Sequence, residues 1–267
     1  MTDIPSQISS VPARLGVTAR FEDGSLELDL VPRPELLHHG ILRASVVSYV
    51  VDALAGISVD GDASVWTLTT DMSIRMRPVP APQSLTAVNT ILRRGRRSVT
   101  STVEVTADDG TPLATGAIGF AHIPRKDGDP PKPIVPPEIA PQLFRVPEPL
   151  TRPLREEAGI EVIDAAEGIV QVEITPDLQN PAGTLQGAMV ALVAEAAAEE
   201  LVAARFESPV VVTDLDLRYL AQTQAGPVRS RCRLLGTGPD SSVQVELIDT
   251  STDRLTTLVY ARAVPVS

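Results

Sequence analysis

The sequence predicts an α+β protein of two tandem domains, each a long central helix wrapped by an antiparallel sheet. Three observations carry this: an internal duplication, one unusually apolar helical segment in each copy, and a proline-dense stretch between the copies. The chain has 267 residues, and at about 150 residues per domain that length accommodates two units. Ten of its 24 prolines fall from Pro124 to Pro153, alongside Lys126, Asp127, Gly128 and Asp129. Proline fixes φ and lacks an N–H, so this stretch is expected to be a surface linker rather than a helix or central strand. The expected division is an N-terminal extension over 1–13, a first domain over 14–124, a linker over 125–153 and a second domain over 154–267.

Offsetting the chain by 143 residues sets Gly40 on Gly183, Leu42 on Leu185, Val47 on Val190, Asp52 on Glu195, Thr70 on Thr213, Asp71 on Asp214 and Arg75 on Arg218. One-residue changes in the offset extend the match from Gly24 and Gly168 to Leu113 and Leu255. Two copies with so long a period make a two-domain protein rather than a solenoid.

Each copy opens with the period of a half-buried strand, seen in Leu26, Leu28, Leu30 and again in Val170, Val172, Ile174. A long apolar segment follows, residues 41–59 in the first copy and 184–206 in the second, the latter strongly helical through its alanines. Three strand-like runs come next, in the first copy over 67–76, 99–106 and 113–121, with turn signals such as Asp109-Gly110 between them. A helix apolar on nearly all sides suits enclosure by a sheet, the arrangement of a hotdog fold.

Lys and Arg total 23 against 34 Asp and Glu, a formal net charge of −11. Nonspecific binding to nucleic acid or an anionic membrane is therefore not expected, and an anionic ligand would need a local basic cluster. The single cysteine, Cys232, makes neither an internal disulfide nor a cysteine-rich zinc site. Residues 1–10 lack a basic region followed by an apolar run. Asp52 and Glu195 interrupt the two segments nearest to the ~18 apolar residues of a membrane span. A reducing, cytoplasmic location is expected.

Those same two acids are the candidate chemistry. Asp52 is the one charged side chain between Ala44 and Val59, and Glu195 the one between Leu185 and Ala198. A carboxylate in an enclosed helix is costly unless it is paired, hydrogen-bonded or protonated. A lone acid in a helix commonly just faces solvent or a backbone donor; recurrence at the same place in both copies points to a site instead.

The run Asn180-Pro181-Ala182-Gly183-Thr184-Leu185-Gln186-Gly187-Ala188, with Glu195 beyond it, resembles the signature of the PaaI-like hotdog acyl-CoA thioesterases. Thr213-Asp214-Leu215-Asp216-Leu217-Arg218-Tyr219 is similar to that family's strand after the helix. The resemblance implies hydrolysis of a thioester without a metal or organic cofactor, coenzyme A being part of the substrate. It implies that Asn180 orients the thioester or attacking water and that the Gly187 N–H, at a positive helix N-terminus, polarises the carbonyl. Asp52 and Glu195 would act as general base or nucleophile, with Thr70 and Thr213 positioning the water.

Gln186 stands where the family has His, and Ala188 replaces the second Gly of its Gly-Gly pair. In the first copy the positions of Asn180, Gln186 and Gly187 fall on Leu37, Arg43 and Ala44. Family sites resemble composites, with Asn and glycine from one protomer and acid and hydroxyl from the other. That would pair Asn180 and Gly187 with Asp52 and Thr70, leaving a degenerate site at Glu195 and Thr213. The alternative keeps Glu195 with Asn180 and Gly187 inside the second copy. His38 and His39, just before the first helix, read as a polar loop rather than a replacement for the missing Asn.

Arg93, Arg94, Arg96 and Arg97 flank Gly95. In an acidic chain they form either a solvated hairpin loop or an anion site able to engage phosphates bidentately; the resemblance favours the phosphates of coenzyme A. The corresponding loop of the second copy, around Gly236 and Gly238, has no basic residue. The competing function is a non-catalytic hotdog module that binds an acyl-CoA or a protein partner. By analogy the double-hotdog chains would also associate as a homodimer.

Overall fold

The computed structural model describes residues 10–129, 132, 134–144, 148–223 and 225–266. Most of the expected N-terminal extension, and residues 130, 131, 133 and 145–147 of the expected linker, lie outside them. The first copy begins with β1 (Thr18–Glu22) and β2 (Ser25–Leu30). They are joined at Asp23 and Gly24, both at positive φ, the conformation a two-residue hairpin turn demands. Two-residue strands β3 (Leu37–His38) and β4 (Ile41–Leu42) turn in the same way at His39 and Gly40. Then come α1 (Ala44–Val59), β5 (Val65–Met76), β6 (Leu85–Arg94), β7 (Ser98–Ala107) and β8 (Pro112–Pro124).

Single helical turns α2 (Ala140–Leu143) and α3 (Leu154–Glu157) follow. The second copy then runs through β9 (Glu161–Asp164), β10 (Ile169–Val172), α4 (Gly187–Phe206), β11 (Val210–Tyr219), β12 (Val228–Leu234), β13 (Ser241–Asp249) and β14 (Arg254–Pro265). Among the described residues twelve strands form one sheet, in the order β1-β2-β6-β7-β8-β5-β11-β14-β13-β12-β10-β9. Its pairings are antiparallel, and the halves join along β5 and β11. Ser73 faces Asp216 across that seam, and the two are repeat equivalents, so the seam carries the internal two-fold relation. Arg75 strengthens it by pairing with Asp216 at 2.8 Å and Asp214 at 3.6 Å.

Both long helices lie on the inner face and pack against each other. Buried side chains of α1, including Val47, Val51 and Leu54, and of α4, including Met189, Leu192 and Val202, belong to one core cluster. Burying each such side chain contributes about 1.5–3 kcal/mol. Close approach is built in at Gly116 of β8, where a Cβ would lie 2.6 Å from Val51. This is the α+β double hotdog, each helix wrapped by its half of the sheet.

Two features depart from the sequence expectation. Each copy has four strands after its helix rather than three; in the first copy β6 is buried only at Leu85 and Ala87 and runs out exposed through its arginines, losing the alternation that marks a strand. The proline-dense stretch is also neither free of helix nor wholly superficial. Proline is tolerated in a first helical turn, so α2 forms and packs against β1, with Ala140 and Leu150 buried. No helix among the described residues is long and apolar enough to cross a membrane.

Candidate active site

A pocket of about 540 Å³ opens between the two halves. Asp52, Thr69 and Thr70 line it from the first copy, and Asn180, Gln186, Gly187 and Tyr219 from the second. Asp52 projects from the middle of α1 toward the N-terminus of α4. Its Oδ1 accepts from the Thr69 hydroxyl at 2.8 Å and its Oδ2 from Gln186 Nε2 at 3.2 Å. Gln186 is the N-cap of α4, and its Oε1 accepts from the Ala188 N–H at 2.6 Å. That bond fixes the amide: with the oxygen committed to the helix, the NH₂ must face Asp52. Burial raises the Asp52 pKa above the usual carboxylate range, against the opposing pull of the Thr69 hydroxyl.

Gly187 is the first residue of α4, where a backbone N–H has no intrahelical acceptor. A Cβ there would stand 3.3 Å from the Tyr219 hydroxyl and 3.5 Å from Asp52 Oδ2, so glycine keeps the space between helix end and acid open. Asn180 lines the pocket, but its Oδ1 accepts from the N–H groups of Ala182 and Thr184 at 3.0 and 3.2 Å. Its oxygen therefore shapes the loop before α4. At the mouth, Trp66 Nε1 donates to Asp129 Oδ2 at 3.0 Å, and Arg125 lies 5.2 Å from the ring centroid.

The hydroxyl on Asp52 is that of Thr69, not Thr70. The β5–β8 register shifts between Thr69 and Asp71, so Thr70 sits in a bulge. Its hydroxyl donates to Asp71 Oδ2 at 2.8 Å and stands 3.2 Å from the Gly119 carbonyl. Thr213 occupies the matching bulge of β11 and donates to Asp214 at 3.2 Å. The counterpart of Thr69 in the second copy is Val212, which has no hydroxyl to offer.

Glu195 and Thr213 do not line the pocket. Glu195 is 1% exposed and lies against the N-terminus of α1. Its carboxylate accepts from the Ala44 N–H at 2.8 Å, the Ser45 N–H at 3.4 Å and the Ser45 hydroxyl. The donor a substrate carbonyl would need there is taken by the protein's own carboxylate. Arg43, in the place of Gln186, reaches Glu199 at 3.0 Å and Glu195 at 3.7 Å. Burial raises the Glu195 pKa to about 7, the Arg43 charge opposes the rise and Glu199 adds to it. His38 lies 3.6 Å from Glu199, and burial followed by the Arg43 charge pushes its pKa down to about 3.

The four arginines lie on the β6–β7 hairpin, outside the pocket lining. Arg94 donates to the carbonyls of Ser58 and Val59 at 3.3 and 3.4 Å, capping α1. Among the described residues no carboxylate pairs with Arg93, Arg96 or Arg97. The Arg97 carbonyl accepts from the His122 N–H at 2.9 Å, so this hairpin borders the strand that supplies Ala121 and Ile123 to the pocket. Among the described residues no three His, Cys, Asp or Glu side chains are grouped to hold a metal ion. The sequence assigns no place at the site to Thr69, nor to Tyr219 beyond its position in the strand after the helix. Only a bulge turns Thr69 onto the acid, and only the β11–α4 packing brings the phenol to the pocket.

A pair of sheet-wrapped helices, with an acid of one facing the N-terminus of the other, defines a double hotdog. The tesB protein of Mycobacterium avium subsp. paratuberculosis shares this fold with a TM-score of 0.66 over 98% of this chain and all of that one, at 13% identity. An acyl-ACP thioesterase of Bacteroides thetaiotaomicron does so with a TM-score of 0.62 over 94% and 99%, at 12% identity. No family model matches the chain. In sequence, 106 residues are 31% identical to the 1,4-dihydroxy-2-naphthoyl-CoA hydrolase of Listeria monocytogenes, covering 86% of that protein and 38% of this one. The chain belongs to the hotdog-fold acyl-CoA thioesterase superfamily, in its tandem arrangement.

Proposed function

We propose that the pocket hydrolyses acyl-CoA thioesters, with Asp52 as general base. The carrying observation is the set around Asp52: the Thr69 hydroxyl on one carboxylate oxygen, the Gln186 amide on the other, and Gly187 at the adjoining helix end. A water seated against Asp52 and Thr69 gives a proton to the carboxylate as its oxygen attacks the thioester carbon. Negative charge then develops on the carbonyl oxygen beside the Gly187 N–H, where a helix N-terminus favours it. Collapse breaks the C–S bond, and the proton held by Asp52 passes to the departing thiolate, leaving a carboxylic acid and free thiol.

The general-base role is favoured because the Thr69 hydroxyl, which donates to Asp52, retains a lone pair to hold a water beside the carboxylate, whose oxygens each keep a lone pair to take its proton. Asn180 would orient the thioester through its NH₂. Arg93, Arg96 and Arg97 would receive the coenzyme A phosphates, binding shared by ground and transition states.

The test is thiol release across a panel of acyl-CoAs, followed by a single turnover in ¹⁸O-labelled water. A general base puts the label into the acid product and none into Asp52 on the first turnover; label found in Asp52 would mark a mixed anhydride opened at the aspartyl carbon, and with it a nucleophilic role. Absence of thiol release across the panel, with thermal stabilisation by CoA esters, would mark a binding module instead.

A further inference from the structure

We infer that Tyr219 is a positioning residue for thioester hydrolysis, tying the first turn of α4 to the sheet so that the Gly187 N–H keeps its aim. This inference rests on the proposed reading of the pocket. Tyr219 ends β11 and lines the pocket, and its hydroxyl donates to the Gly187 carbonyl at 3.1 Å. Burial, and then the Asp52 charge, raise its pKa well above the ordinary phenol range, so it stays a neutral donor.

The site is split between two helices, and each half is tied to one strand of the central seam. Asp52 of α1 is held to β5 through Thr69, and Gly187 of α4 is held to β11 through Tyr219. β5 and β11 pair directly from Asp71↔Arg218 to Arg75↔Asp214. One rigid ladder therefore sets the separation of acid and N–H, and the phenol is the link on the α4 side.

The other helix start shows what this link achieves. Met76 stands at the position equivalent to Tyr219 and cannot donate a hydrogen bond. There the N-terminus of α1 is fixed by Glu195 through the Ala44 N–H itself, which removes the donor that catalysis would use. Tyr219 fixes the helix through a carbonyl, leaving the N–H free. The same hydroxyl also bounds the space a Cβ at position 187 would enter, at 3.3 Å.

The experiment is a double-mutant cycle on acyl-CoA hydrolysis with Tyr219→Phe, Gly187→Ala and the pair, with Asp52→Asn as reference. Tyr219→Phe keeps the ring and removes the link. kcat is expected to fall about tenfold with KM within about twofold, as for a transition-state contact loosened by misaim. The penalty of Gly187→Ala should shrink in the Tyr219→Phe background, because the Cβ no longer meets the hydroxyl. Tyr219→Met, which installs the residue of the first copy, should lose at least as much kcat. An unchanged kcat in Tyr219→Phe, a loss confined to KM, or strict additivity with Gly187→Ala would overturn the inference. Turnover persisting in Asp52→Asn would instead strike the underlying reading of the pocket.

Discussion

The two helix starts, related by the duplication, have been put to opposite uses. At α4 a neutral amide, Gln186, caps the helix through its oxygen and turns its NH₂ to Asp52, and a pocket remains. At α1 the same position is Arg43, the facing acid is Glu195, and Gly56 is matched by Glu199. The result is a closed ionic cluster in which Arg43 meets both carboxylates. The added methylene of Glu195 over Asp52 accompanies direct contact with the helix N–H groups. One copy thus keeps an open pocket at its helix start, while at the other the facing acid clasps the halves together.

The sharpest way to break this comparison is to neutralise each acid. Asp52→Asn should lower kcat by about 10²–10⁴-fold, the range attributed to a positioned base. Glu195→Gln should retain most of the activity, since Glu195 touches nothing in the pocket. Comparable losses in both variants would make the halves functionally equivalent.

Stability should respond in the opposite order. Glu195→Ala strips Arg43 and the Ala44 N–H of a buried partner and should cost about 3–5 kcal/mol in urea unfolding. A loss below about 1 kcal/mol would reduce the cluster to the worth of a surface pair. The pH dependence sharpens the same contrast. The Glu195 pKa is raised from the ordinary 4.5 to about 7, so the folded protein binds the extra proton between those values. Stability should fall as pH rises through that window, and Glu195→Gln should flatten the slope. For Asp52, also raised by burial, the base form is what works. kcat/KM should therefore lose its acid limb at a higher pH than an ordinary carboxylate would give, measured as a pH–rate profile.

Thr69→Val should lower kcat about tenfold while Thr70→Val stays near wild type, since only Thr69 bonds the acid. It also gives the first copy the residue that stands at Val212. The smallest effect is expected at the hairpin: Arg96→Ala with Arg97→Ala should raise KM a few-fold with kcat preserved, and salt should weaken the difference. Arg94→Ala should instead lower the melting temperature, because Arg94 caps α1.

Much of this was legible from residue types and spacing alone. The duplication, the sheet-wrapped helices and the pair of helix-borne acids follow from composition and periodicity, which depend on neighbours a few residues apart. The repeat offset also identified Arg43 and Ala44 as the losses in the first copy. β6 was not legible because beyond Leu85 and Ala87 it is exposed on both faces and carries no alternation.

Tertiary structure alone decided what each acid meets. Asp52 and Glu195 have the same apolar local setting. Their difference lies in what meets them from the other copy: a Gln and a Gly at one, an Arg, an Ala N–H and a Ser at the other. Whether Thr69 or Thr70 faces the acid depends on a one-residue bulge that reverses side-chain direction. The reach of Tyr219 to α4 depends on how helix packs on strand. Sequence fixes chemistry at each position through local preference, but hydrogen bonds between groups more than a hundred residues apart exist only once the sheet has brought them within about 3 Å.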